Sequence, residues 1–224
     1  MYLLALLVGS ENSLLGIVAK GGILMAVLLL ISIIAIAIII ERMIKLNRAS
    51  KLKDEFIQNL YEDIAAERLE KAVQKCENKK SAALSGVLAK IIDNFQKQVF
   101  NDKEALEMGI NNQIHMLERN LGALSTFAAI APLIGFLGTV TGMVKVFMKI
   151  GETGGGVDIS LLANGIWEAL LTTVGGLTVG IITILFYNYL VSKLEVIEQN
   201  LEEEAHNFLA TAKKLRSQDE EKSS

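Results

Sequence analysis

Glu168, Thr172 and Thr173, with Thr139 and Lys145 earlier in the chain, are polar side chains set inside long apolar runs. In such surroundings each must find a partner, hold water or lose its charge. The runs are Leu121 to Ile150 and Leu161 to Val191; a third, Gly21 to Ile40, has twenty positions without a charge. Glu168 lies two turns inside the outer end of the run Leu161 to Val191, where a lone ionised carboxylate is costly, so it is expected to be neutral, paired or hydrated. The link between the second and third runs centres near Gly156, and an antiparallel hairpin sets residues equidistant from that centre at equal height. Thr139 and Thr173 then share one level, roughly 16 Å deep and close to mid-bilayer. Two hydroxyls that both donate and accept can hold a carboxylic acid or waters there. The alternative is that each hydroxyl bonds the carbonyl four residues back on its own helix. The same rule sets Lys145 opposite Glu168, so a salt bridge within the hairpin competes with a free acid. Glu168, Thr172, Gly175 and Gly176 share a helix face, whereas Thr173 leads Glu168 by about 140°. Both line one cavity only if the polar arc is broad.

The elements that must position these groups are helices in lipid. A hydrocarbon core of roughly 30 Å takes about 20 apolar residues per helix, and the three runs meet that length. Gly138 with Gly142 and Gly176 with Gly180 have the spacing that lets helix backbones approach closely, within one hairpin or between subunits. Pro132, the only proline, is expected to kink its helix and to leave the Ala128 carbonyl without its usual donor. This kink serves packing or a gate.

Of the 224 residues, 51% are hydrophobic and 21% charged, too apolar for a soluble domain and too charged for a bundle wholly in lipid. The chain is therefore expected to be an all-α integral membrane protein with three transmembrane helices and long helices extending into the cytoplasm. A net charge of -3, with bases and acids interleaved, excludes a nucleic-acid footprint. Cys76 is alone, so no intrachain disulfide or cysteine metal cluster can form, and it reads as inert. His115 and His206 have no metal-pair spacing. No phosphate loop, HExxH or nucleophile elbow is present, and the GETGGG stretch lacks the lysine of a nucleotide loop and reads as a flexible turn. Neither an enzyme nor a cofactor or metal is expected.

Residues 1–20 read as an outward-facing interfacial segment, apolar over Met1 to Val8 but without the basic region of a cleavable signal. Arg42, Lys45, Arg48, Lys51 and Lys53 follow the first span whereas only Lys20 precedes it, which turns the N-terminus outward. The order is then a span over 21–40, a cytoplasmic helical insert over 41–120, spans over 121–150 and 161–191 joined by an outer loop over 151–160, and a cytoplasmic helix with polar tail over 192–224. In the insert Leu84, Val87, Leu88, Ile91, Ile92, Phe95 and Val99 make one stripe. Asp102 is the expected N-cap of a helix whose stripe, Leu106, Ile110, Ile114, Leu117, Leu121 and Leu124, runs without a break into the second span. Uninterrupted from Lys103 to Lys149, it would reach roughly 70 Å. Leu194, Leu201, Phe208 and Leu215 repeat every seven residues, a stripe that needs another helix, from the protein's own insert or from a neighbouring subunit.

The segments AAIAPLIGFLGTVTGMVKVF and GIWEALLTTVGGLTVGIITILFYNYL resemble the second and third transmembrane helices of the MotA/TolQ/ExbB proton-channel family, through the patterns A-P-x-x-G-x-x-G-T-V-x-G and E-A-L-x-x-T-x-x-G-L. Three spans resemble the ExbB and TolQ branch more than the MotA branch, which usually has four. The resemblance implies a pentamer around a pore that holds the single transmembrane helices of an ExbD- or TolR-like partner, whose aspartate takes up protons. It further implies an inner-membrane location and an output, through a TonB- or TolA-like protein, delivered to the outer membrane. Thr139 and Thr173 take the positions of the family's pore threonines, with Thr172 beside them. Glu168 takes its membrane glutamate, Pro132 its kink proline, and Gly135, Gly138, Gly142, Gly176 and Gly180 its close-packing positions. Lys145 falls where many relatives carry a histidine. A charge pair with Glu168 or an altered outer mouth follows from that departure, and sodium use by some relatives keeps a hard cation as the alternative ion. A flagellar or gliding-type stator and a non-conducting membrane scaffold are the rival functions.

Overall fold

The computed structural model describes residues 22–50, 54–79, 82–97, 100–152 and 159–223. The interfacial segment expected over 1–20, the flanking bases Lys20, Lys51 and Lys53, Val99 of the insert stripe and residues 153–158 of the outer loop, with most of the GETGGG turn, lie outside them. Among the described residues seven helices follow in order: α1 (Gly22–Ala49), α2 (Asp54–Ala65), α3 (Leu69–Asn78), α4 (Ala83–Lys97), α5 (Asp102–Glu118), α6 (Leu121–Glu152) and α7 (Ile159–Ser223). The described residues are all-helical, and three stretches, Gly22–Ala49, Asp102–Glu152 and Leu162–Leu215, are long and apolar enough to cross a membrane. The chain is thus a multi-pass helical membrane protein, as its three long apolar runs require.

Two compact units divide it, one combining residues up to Ile39 with Asn120–Asn188, the other Ile40–Arg119 with Tyr189–Ser224. The first is three apolar helical segments. Met25, Leu28 and Ala131 form its buried centre, with Ile134, Leu171 and Val179 against them. Around this centre large side chains such as Phe136, Phe147, Trp167 and Leu185 stay exposed, the pattern of helices whose outer faces meet lipid or further protein.

The second unit is a soluble-type helical core. Helix α3 packs on α2 and α4, and α4 on α5, burying the stripe Leu84, Val87, Leu88, Ile91, Ile92 and Phe95. Asp63 is buried at 2% exposure; it is balanced by Lys75 and by Arg68 at 3.5 Å, as a buried carboxylate must be. Asn94 donates to the Phe100 carbonyl at 3.0 Å and accepts from the Phe100 amide at 3.0 Å, which fixes the connection into α5. The heptad stripe of α7 is spent inside this unit. Leu194, Ile197, Leu201, Ala205, Phe208 and Ala212 are buried, Phe208 stacks on Tyr61 of α2 with ring centres 5.1 Å apart, and Lys213 pairs with Asp102 at 3.0 Å.

Two expectations need correction. The N-cap of α5 is Asn101, whose side chain accepts from the Lys103 amide at 3.3 Å, one residue before the expected Asp102. Asp102 instead accepts from Asn94 at 3.1 Å and pairs with Lys213, so tertiary contacts claim its carboxylate. The helix expected to run unbroken from Lys103 to Lys149 is also interrupted. Arg119 is extended (φ -49°, ψ 134°) and Asn120 is left-handed at φ 69°, a conformation asparagine tolerates better than most residues. The apolar stripe survives the break, since Leu117 and Leu121 are both buried, so periodicity alone does not reveal it. Arg42 answers the carbonyls released at the end of α5: its Nη1 donates to Met116 O at 3.2 Å and Leu117 O at 3.4 Å.

Candidate functional site

The site lies in the first unit, where α6 and the start of α7 form an antiparallel hairpin. Its register can be read from the glycines. A Cβ on Gly142 would come 2.9 Å from Ala169 Cβ, one on Gly138 would collide with the Thr172 side chain, and one on Gly180 would come 2.6 Å from Pro132 Cγ. These facing pairs have midpoints of 155.5, 155 and 156 in the numbering, so the hairpin centre agrees with Gly156. At Gly176 the approach is backbone to backbone: an added Cβ would stand 2.6 Å from Ala131 O and 2.8 Å from Gly135 Cα. In this chain the glycines bring two helices of the same hairpin together, the contact that small residues make in lipid. Helix α6 runs on through Pro132. The Ala128 carbonyl, four residues before it, faces Gly180, where a Cβ would lie 3.3 Å away, so a glycine hydrogen approaches the oxygen that the proline leaves unpaired.

Thr172 is buried at 2% exposure and donates to Ala169 O at 2.7 Å, with Gly135 O at 3.5 Å across the hairpin. Thr173 is half-buried and donates across the hairpin to Gly135 O at 3.0 Å. Thr139 is also half-buried and donates to Phe136 O on its own helix at 2.7 Å, three residues back rather than four. The observed register leaves Thr139 and Thr173 at one level, and no hydrogen bond joins them among the described residues.

Glu168 is half-buried. With Thr172 and Lys145 it lines a cavity of about 250 Å³ whose far wall is the start of α1, Gly22 to Leu24. A second cavity of about 450 Å³, lined by Lys145, Asn164 and Glu168, adjoins the loop end of the hairpin. Lys145 and Glu168 therefore share their surroundings, yet no ion pair joins them among the described residues. Thr139 and Thr173 do not line either cavity. The face shared by Glu168, Thr172, Gly175 and Gly176 turns toward neighbouring helices of its own chain: Thr172 and Gly176 meet α6, and Gly175 lies against Met25 of α1.

One participant escaped the sequence reading. Gly22 has a φ of 66°, and a Cβ there would stand 2.8 Å from Glu168 Oε1. The carboxylate thus rests over the first residue of α1, at the positive end of that helix. A glycine doublet directly before a long apolar run was the available signal. No group of three or more metal-ligating side chains occurs among the described residues; the two cavities are lined by a carboxyl, hydroxyls and an amine. Those are groups for passing or holding protons.

The family described as the MotA/TolQ/ExbB proton channel family matches residues 62–203. A putative biopolymer transport protein, ExbB-like 1, of Synechocystis is 33% identical over 175 residues, covering 77% of this chain and 68% of its own. The biopolymer transport protein ExbB of Neisseria meningitidis is 29% identical over 195 residues, covering 81% of this chain and 86% of its own. The Tol-Pal system protein TolQ of Haemophilus influenzae is 30% identical over 188 residues, covering 78% and 80%.

Proposed function

Because this chain belongs to the MotA/TolQ/ExbB proton channel family and is a membrane channel protein rather than an enzyme, we propose that it is the pore-forming subunit of an inner-membrane motor driven by the proton-motive force. In this reading it assembles as a pentamer around the single-span helices of an ExbD- or TolR-like partner, whose membrane aspartate takes up and releases protons. Movement of those helices is passed through a TonB- or TolA-like protein to the outer membrane. Its N-terminus faces the periplasm and its insert and C-terminal helix the cytoplasm, in keeping with Arg42, Lys45 and Arg48 after the first span.

The observation that carries the proposal is Glu168, a carboxyl in a membrane helix bordering two cavities with no ion pair among the described residues. A membrane acid spent on structure would be expected to have a charged partner. Thr172 supplies a hydroxyl to the inner cavity and Lys145 an amine to both, setting the field at the outer mouth. Thr139 and Thr173, level with one another, present the hydroxyls nearest mid-bilayer. With no second carboxylate in the spans, protons are the ion favoured over sodium.

One observation favours the rival scaffold reading: Thr139 and Thr173 both give their hydrogens to backbone carbonyls, as threonines do when they only join helices. The two readings part on Glu168→Ala and Thr173→Ala. The motor reading predicts that both variants keep the wild-type oligomer with its partner on native gels and lose energy-dependent transport. Dissociated oligomers, or transport equal to wild type, would refute it.

A further inference from the structure

The second unit holds a cavity of about 360 Å³ whose charged lining is entirely basic: Arg42, Lys45, Arg48 and Arg119, with Gln113 beside them. Glu41 offsets part of this charge, accepting from Arg42 at 3.0 Å and from Lys45 at 2.6 Å. Arg48 and Arg119 are exposed and make no ion pair among the described residues. Two of the four cations around this concavity thus lack a counter-ion among the described residues. Arg42 adds an independent sign. It is fully buried at 0% exposure, and its Nε, unlike its two Nη atoms, has no hydrogen-bond partner among the described residues. An arginine desolvated to that degree and left with an unused donor is an unmet polar demand in the wall of the cavity.

We propose that this cavity binds a phosphate-bearing anion, with the phosphodiester headgroup of an anionic phospholipid as its source. Position supports the lipid. Arg42 stands two residues beyond the uncharged run that ends at Ile40, and Arg119 two residues before the run that begins at Leu121, which sets both at headgroup level. Ala49, Ala83, Met116 and Leu117 complete the wall and suit a glycerol backbone. Basic pockets at the cytoplasmic ends of membrane helices take acidic headgroups in this manner, and the arginine fork fits two phosphate oxygens at once. Because Arg42 also holds the last carbonyls of α5, the bound headgroup braces the Arg119–Asn120 break.

The test uses the full-length oligomer in detergent, with phosphatidylglycerol, phosphatidylcholine of matched chains, or inorganic phosphate added separately. Native mass spectrometry and thermal unfolding report binding. The double variant Arg48→Gln, Arg119→Gln removes two exposed charges and leaves the Arg42 contacts in place. Wild type is expected to retain phosphatidylglycerol over phosphatidylcholine and to melt higher with it, and the double variant to bind it at least tenfold more weakly, on the order of what two interfacial cations contribute. If inorganic phosphate raises the melting temperature of wild type alone and displaces the lipid, the anion site stands and soluble phosphate competes for it. Equal retention of the two lipids, equal phosphatidylglycerol binding by the double variant, or no response to any addition would overturn the proposal.

Discussion

Thr173 joins two helices and, in the motor proposed above, serves conduction as well. Its hydroxyl donates to Gly135 O at 3.0 Å and keeps its lone pairs as acceptors. Thr173→Ser is expected to conserve function. Thr173→Val keeps the shape and loses only the donor and acceptor, so oligomer stability should fall by no more than about 1 kcal/mol while transport is lost; thermal melting beside a transport assay separates the two effects. Cys76 makes a contrasting case. Burial pushes its thiol up to about 12, against an opposing contribution from Ser85. The unfolded thiol releases its proton near pH 9, whereas the folded one retains it. This residue's contribution to stability is therefore intact below about pH 9 and is lost as pH rises toward 12. At pH 8 the folded chain should react with iodoacetamide orders of magnitude more slowly than the denatured chain, because few thiolates form. Rapid labelling of the folded protein would contradict the inert reading.

At the scale of the helices, the hairpin depends on backbone contact at Gly176, where an added methyl meets Ala131 O at 2.6 Å, and this atom cannot swing aside. Gly176→Ala should separate the two helices at a cost of about 1–3 kcal/mol. Gly122→Ala, where nothing lies within 4 Å, should leave stability unchanged or slightly raised. Melting curves of the two variants side by side give the comparison. The hairpin register was legible in the sequence because equal distances from one loop are a matter of geometry, and the facing pairs centre at 155 to 156. The heptad of α7 was legible for the same reason, whereas its partner became clear only from Tyr61 against Phe208. The interruption at Asn120 was not legible. Its polar side chain leaves the apolar stripe intact, and the arginine that caps the broken end, Arg42, is 74 residues from Met116 in the chain.

For the molecule as a whole, three long apolar runs and one membrane carboxyl declare a protein divided between lipid and water, and the two compact units express that division. Glu168 was legible as the sharpest position because charge in hydrocarbon is expensive. Its rest against Gly22 was not, since nothing in a linear pattern brings the start of α1 to the first turns of α7. The central claim is proton movement that depends on that carboxyl. Liposomes containing this protein with its ExbD- or TolR-like partner and a pH-sensitive dye, given a proton gradient in the absence of sodium, test it most directly. The wild-type complex should acidify the lumen, and Glu168→Gln, assembled to the same size, should not. Equal acidification by the two complexes would contradict the account.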